Sequence, residues 1–388
     1  MMPLILKVLI LLFLVAFSDS SNITVSSSAT HRNVSSPPPA KPRNHNRPGI
    51  VTAATVERTA FYVNLILKPI ICFSGLVMNV IGCFVLLHKS LRHSSYRYLL
   101  GLLIADCGFL LCGILRMPTD ISAEYDIMYS NYLSSVLDIP TKHYIELAFS
   151  KVSAITICIL ALERLIAISF PLKAKTFFLA RYSGKISVAL FFMVFMLYVP
   201  KLFQTHFVWS FNRPLNRSAF IIQKITYSEP TLSFMTNYDK FVFNILMIYI
   251  TPCLLLVLNI GIWVQLAVIR RRRKFLFGTA EQEQWKVTLT LMTISVFFVV
   301  VYIPLISVNV LEIHNPRRFS RRGPERHFRS LVNHLSSLGW TINSANDFII
   351  YVITNVKFRV TLTNMFCSKK AQRDNVSTNT PSLDQHGQ

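Results

Sequence analysis

The chain has 388 residues, of which 52% are hydrophobic and 15% charged, and its mean hydropathy is +0.44. Soluble globular chains carry roughly 25% charged residues and disordered ones are poorer still in apolar residues, so both classes are excluded for most of the sequence. The net charge of +22 comes from short basic runs between apolar stretches. That is the pattern of membrane loops, not of a nucleic-acid footprint, and no nucleic-acid partner is expected.

In chain order, residues 1–20 hold Lys7, an apolar run from Val8 to Phe17, and then Ser18, Asp19 and Ser20. This reads as a secretory signal peptide, with an uncleaved extra span as the alternative. Residues 21–60 include Pro37-Pro38-Pro39 and a polar, basic stretch from Lys41 to Pro48. They lack apolar period and read as a disordered tail. Asn22 and Asn33 each head an Asn-x-Ser/Thr triplet, which makes the tail a glycosylated, extracellular one.

Seven apolar segments follow at roughly 61–87, 95–117, 141–169, 186–203, 238–269, 287–311 and 331–354. Each has the length to span a bilayer. Inside lipid the backbone has no water to bond, so only helices or closed barrels are tolerated, and continuous apolar runs exclude the alternating strands of a barrel. The expected fold is an all-α membrane protein, a seven-transmembrane bundle over 61–355. Residues 356–388 form a short amphipathic eighth helix and a tail.

Basic residues such as Lys89, Arg92, Lys173, Lys175, Arg270 to Lys274 and Lys369 fall in the odd loops and the tail. These should be cytoplasmic, with the N-terminus outside. Asn216, in loop four, is then a third extracellular glycosylation acceptor. Loop six breaks the pattern, since Arg317, Arg318, Arg321, Arg322, Arg326 and Arg329 would lie outside. Six of the seven cysteines fall in apolar segments and none has metal-ligand spacing, so neither a metal site nor a disulfide framework is expected.

Ionisable groups within spans are costly and default to functional hypotheses. Asp106 lies mid-span in the second segment, and Asn343 and Asp347 share a face of the seventh. In the third, Glu146, Ser153 and Arg164 are spaced close to whole turns and should form one inward stripe, running about 27 Å from Glu146 to Arg164. Lys151 has no evident partner. Pro200, Pro252 and Pro304 interrupt the fourth, fifth and sixth segments, each freeing a carbonyl and allowing a kink.

These residues resemble the rhodopsin class of G-protein-coupled receptors. The resemblance rests on Gly75-Leu76-Val77-Met78-Asn79-Val80, Leu102-Leu103-Ile104-Ala105-Asp106, Glu163-Arg164-Leu165, Pro252, Pro304 and Asp347-Phe348-Ile349-Ile350-Tyr351, with Phe358 seven residues later. It covers about 60–367. The stretches Ala161 to Ile168, Pro171 to Lys175 and Tyr198 to Phe203 further resemble invertebrate FMRFamide-type neuropeptide receptors.

The resemblance implies a plasma-membrane receptor that is not an enzyme, embedded in the lipid bilayer. It would bind an extracellular peptide and pass the event to a heterotrimeric G protein. It implies ligand contacts at Glu146, Arg116, Tyr302 and Trp340, and a sodium-type polar cluster at Asp106, Ser153, Asn343 and Asp347, with no other cofactor. The G-protein switch would be Glu163, Arg164 and Tyr351, and Cys367 would carry a palmitoyl group. The chain departs from the family in five places, one of them the seventh-span motif, where Asp347-Phe348 stand for Asn-Pro. The cysteine pair between the top of span three and loop four is absent, Tyr302 stands where Trp is usual, Ile260 where Tyr is usual, and Leu165 where the third motif ends in Tyr. Thr341 stands where a retinal lysine would lie, so no opsin is implied. The competing readings are a receptor for a biogenic amine or other small ligand and, behind it, a secondary transporter, which should show internal repeats that this chain lacks.

Overall fold

A computed structural model describes residues 50–88, 91, 94–134, 137, 141–170, 176–202, 205–212, 217–224, 228–272, 279–320 and 323–365. The expected signal peptide, Asn22, Asn33, Asn216, Arg321, Arg322 and Cys367 lie outside the described residues.

Seven long helices carry the fold: α1 Ala53–Leu86, α2 Ser94–Tyr125, α3 Leu147–Ser169, α4 Ser183–Leu202, α5 Thr251–Arg272, α6 Thr279–His314 and α7 Arg326–Thr354. An eighth, α8, covers residues 356–365. Among the described residues, six segments are able by length and composition to cross a membrane: those of α1 to α6. Helix α7 has the length but is too polar to join them. Its polar side chains Ser336, Thr341, Asn343, Ser344 and Asp347 are buried along with Leu331, Leu338 and Ala345, as a helix lining a polar interior requires.

Three features differ from the expectations. First, the end of the expected disordered tail is ordered: Ala53–Phe61 is helical and runs on through a π-helical stretch, Tyr62–Leu67, into the first span. Second, loop four contains a hairpin, Thr205–Asn212 paired antiparallel with Arg217–Lys224, and a helix, Glu229–Tyr238. Third, two spans open in π-helix, Thr141–Glu146 before α3 and Asp239–Ile250 before α5. The second of these runs up to Pro252. Proline has no N–H to donate, and the π turn ends just before it, where the Thr251 hydroxyl donates to the Leu246 carbonyl at 3.0 Å. Pro118 sits within α2, besides Pro200 and Pro304 in α4 and α6.

The chain divides into two compact units. The larger comprises Tyr62–Ile306 and Leu335–Gln388. In it α1 lies along α2, and α3 packs on α2, α4 and α5. Its core includes Leu99, Leu102, Leu160, Leu255, Phe298, Tyr351 and Phe358. Gly75 allows α1 to touch α7, because a Cβ there would fall 2.6 Å from the Ala345 Cβ. One turn along, the Asn79 side-chain amide donates to the Ser344 carbonyl at 2.7 Å. Asn355 breaks α7 and caps α8. Its Oδ1 accepts from the Phe358 N–H at 3.1 Å and its Nδ2 donates to the Tyr96 hydroxyl at 3.2 Å. Such a cap satisfies a helix-end donor that has no partner within the helix.

The smaller unit comprises Met1–Phe61 and Ser307–His334. Glu325 is its organiser, 3% exposed. It accepts from the Ile50 N–H at 2.9 Å and from Arg318 Nε and Nη2 at 3.2 and 3.0 Å. Arg329 is ion-paired with Glu312, and Phe319 meets Phe328 edge-on. The loop-six arginines are therefore partly neutralised, while Arg317 and Arg326 stay exposed.

Candidate functional site

Four polar constellations lie inside the larger unit, each assembled from different helices. The first joins Arg116 of α2 to Glu146, the last residue of the π-helical lead into α3. Arg116 Nη1 donates to Glu146 Oε2 at 2.9 Å, with both side chains about one-eighth exposed (12% and 13%). Cys72 and Cys112 lie beside the pair. The inward stripe expected along span three is regular α-helix only from Leu147 onward, so Glu146 is placed by the wider turns before it.

The second constellation explains the lysine for which the sequence offered no partner. Lys151 is 5% exposed, and its ammonium donates to the Tyr302 hydroxyl at 3.0 Å. It lies 5.2 Å from the centre of the Tyr302 ring and 5.9 Å from that of Trp340. Tyr302 in turn stacks on Phe298 at 4.5 Å and meets Trp340 at 5.7 Å. Helices α3, α6 and α7 thus meet at one cation and its aromatic wall, two residues before the Pro304 kink site.

The third is the mid-span cluster. Asp106 is fully buried, and Ser153, Ser344 and Asp347 are its polar neighbours. Among the described residues, both Asp106 carboxylate oxygens, Asp347 Oδ2 and the side-chain oxygens of Asn79 and Asn343 are buried without a hydrogen-bond partner. Oxygens of that kind suit a hard cation, so the residues present fit a sodium ion. Among the described residues, no group of three or more His, Cys, Asp or Glu side chains forms a metal site.

The fourth lies at the far end of α3. Arg164 Nη2 meets Glu163 Oε2 at 3.3 Å, both side chains 7% exposed. Glu163 is also gripped by the start of α2: Ser94 Oγ donates to Oε1 at 2.6 Å, and Ser95 Oγ to Oε2 and Oε1 at 2.8 and 3.1 Å. Tyr351, grouped with this pair from the sequence, has Asp347 and Asp106 for neighbours and rests on Phe358 at 5.9 Å. Among the described residues no hydrogen bond joins it to Arg164.

Ser94, Ser95, Ser344 and the partners of Lys151 were not foreseen. Serines at a helix start read as caps, and nothing local marks them as holding an acid on another helix.

The family described as 7 transmembrane receptor (rhodopsin family) matches residues 78–351. The chain is 25% identical over 336 residues to the FMRFamide receptor of Drosophila melanogaster, an alignment covering 82% of this chain and 56% of that receptor. It is also 25% identical over 341 residues to a probable G-protein coupled receptor of Caenorhabditis elegans, covering 83% of this chain and 73% of the other.

Proposed function

The chain belongs to the rhodopsin family of seven-transmembrane receptors, which are signalling receptors and not enzymes, and from that premise we propose that its ligand is an extracellular, FMRFamide-like neuropeptide. The observation that carries the reading is the largely enclosed Arg116–Glu146 pair, 12% and 13% exposed, set between α2 and the lead into α3, in a chain similar over most of its length to an FMRFamide receptor. A buried carboxylate already matched to one guanidinium is a site where a ligand's arginine can take the protein's place. A small amine would have to displace Arg116 unaided, whereas a peptide brings further contacts to offset the exchange. Tyr302 and Trp340 form the ligand's floor.

The receptor sits in the plasma membrane with its N-terminus outside. Agonist shifts the bundle by binding the active arrangement better than the resting one, and the G protein, selecting the same arrangement, tightens agonist in return. Glu163 restrains Arg164 at rest. The mid-span cluster of Asp106, Ser153, Asn343 and Asp347 holds a sodium ion. Asn22, Asn33 and Asn216 carry glycans, and Cys367 a palmitoyl group.

The test is G-protein activation in cells displaying the chain, against a panel of amidated peptides that includes FMRFamide-like ones, with Arg164→Ala as control. A concentration-dependent response lost in that variant is expected. Silence across the panel, with surface display verified by antibody, overturns the peptide reading.

A further inference from the structure

The charges buried along α3 do not balance. Arg116 is matched by Glu146. Lys151 follows five residues later, about 7.5 Å along a helix, and is 5% exposed. Among the described residues its hydrogen bond goes to a neutral phenol, that of Tyr302, and no ion pair includes it. An ammonium has three donors, and taking it out of water costs several kcal/mol. The Trp340 ring, whose centre lies 5.9 Å away, returns only about 2 kcal/mol when desolvated.

A second donor points to the same shortage. Trp340 Nε1 is buried and makes no hydrogen bond among the described residues, although its ring lies beside the same ammonium. Neighbouring side chains of α3 and α7 therefore each carry donors that find too few acceptors among the described residues. Asp106 does not supply one, because its neighbours are Ser153, Ser344 and Asp347. The group that fits is an anion with two acceptor oxygens, one for each donor.

We propose that Lys151 and Trp340 form an anion subsite that takes a carboxylate of the ligand. The ammonium supplies the counter-charge, the indole N–H the second donor, and the Tyr302 hydroxyl holds the ammonium in place. The subsite rests on the reading of this bundle as a ligand receptor, and adds to it a requirement on the ligand: an Asp or Glu side chain, because an amidated peptide has no terminal carboxylate, beyond any cation offered to Glu146.

The test uses the purified full-length chain and a matched pair of probes, 3-phenylpropionate and its neutral amide, 3-phenylpropionamide. The carboxylate should raise the melting temperature saturably, by about 3 °C or more, and the amide should not. Lys151→Gln should abolish the difference, Trp340→Phe should reduce it, and Lys151→Arg, which keeps the cation, should retain most of it. Equal shifts from acid and amide in the unaltered receptor overturn the proposal, as does a carboxylate-specific shift that survives in Lys151→Gln. If that variant does not fold, Trp340→Phe decides, and an unreduced shift there overturns it. Silence of the peptide panel refutes the peptide reading and leaves this result standing. A peptide response without a carboxylate-specific shift refutes the subsite alone.

Discussion

Replacing Glu163 by Gln tests how the end of α3 is held. In the structure the carboxylate receives Ser94 Oγ at 2.6 Å, Ser95 Oγ at 2.8 Å and Arg164 Nη2 at 3.3 Å. A hydrogen bond to a charged group contributes about 1.5–3 kcal/mol. The amide retains one acceptor oxygen, so one serine bond survives and the other faces an N–H. The long Arg164 contact adds little to the sum. The net loss is then the worth of one charged hydrogen bond, about 1.5–3 kcal/mol, taken from whichever arrangement this lock belongs to. If it belongs to the resting state, the resting-to-active ratio falls by roughly 10- to 150-fold. The assay is ligand-independent G-protein activation at matched surface density, with Ser95→Ala as a milder variant moving in the same direction. Basal activity of Glu163→Gln equal to that of the unaltered receptor, at equal density, would show that the serine-held carboxylate does not restrain the receptor.

Three further outcomes are expected. Arg116→Met leaves Glu146 buried without its cation, at a cost of about 3–5 kcal/mol, and should lower the melting temperature of the purified receptor. Adding Glu146→Met should recover most of the loss, and a double variant as unstable as the single one would contradict the pairing. Sodium chloride should raise the melting temperature relative to choline chloride, and Asp106→Asn should remove that difference; a sodium effect that persists in the variant excludes the cluster as its site. Asn355→Ala removes the cap of α8, worth about 1 kcal/mol, and should speed amide hydrogen exchange across residues 356–365, whereas unchanged exchange there would mean the cap does not hold the helix.

Much of the architecture was legible in the chain because lipid leaves a backbone few choices. Long apolar runs without water to bond must be helices, and the runs ending near Leu86, Ser169 and Thr354 do end there as helices. The places where the reading stopped short are those where local pattern and local energy part. Helix α1 begins at Ala53, in a stretch too polar to register as part of a span. The hairpin from Thr205 to Lys224 falls in a loop read only for its glycosylation triplet and missing cysteine. The π-helical entries before Leu147 and Thr251 leave no mark on hydropathy.

The site divides the same way. Motif spacing singled out Asp106, Glu163, Arg164 and Asp347 from the sequence alone, because an ionisable side chain in a span is too costly to stand there without cause. What those groups touch depends on helices far apart in sequence. Ser95 and Glu163 are 68 residues apart, Lys151 and Tyr302 are 151 apart, and Asn79 reaches Ser344 across 265. Composition and period report what each residue costs in lipid, and that determined the helices and their polar exceptions. Which donor meets which acceptor is a matter of register and rotation between helices, set by packing such as Gly75 against Ala345. That is why only the folded bundle could close Ser95 on Glu163 and set Lys151 against the Tyr302 phenol and the Trp340 indole.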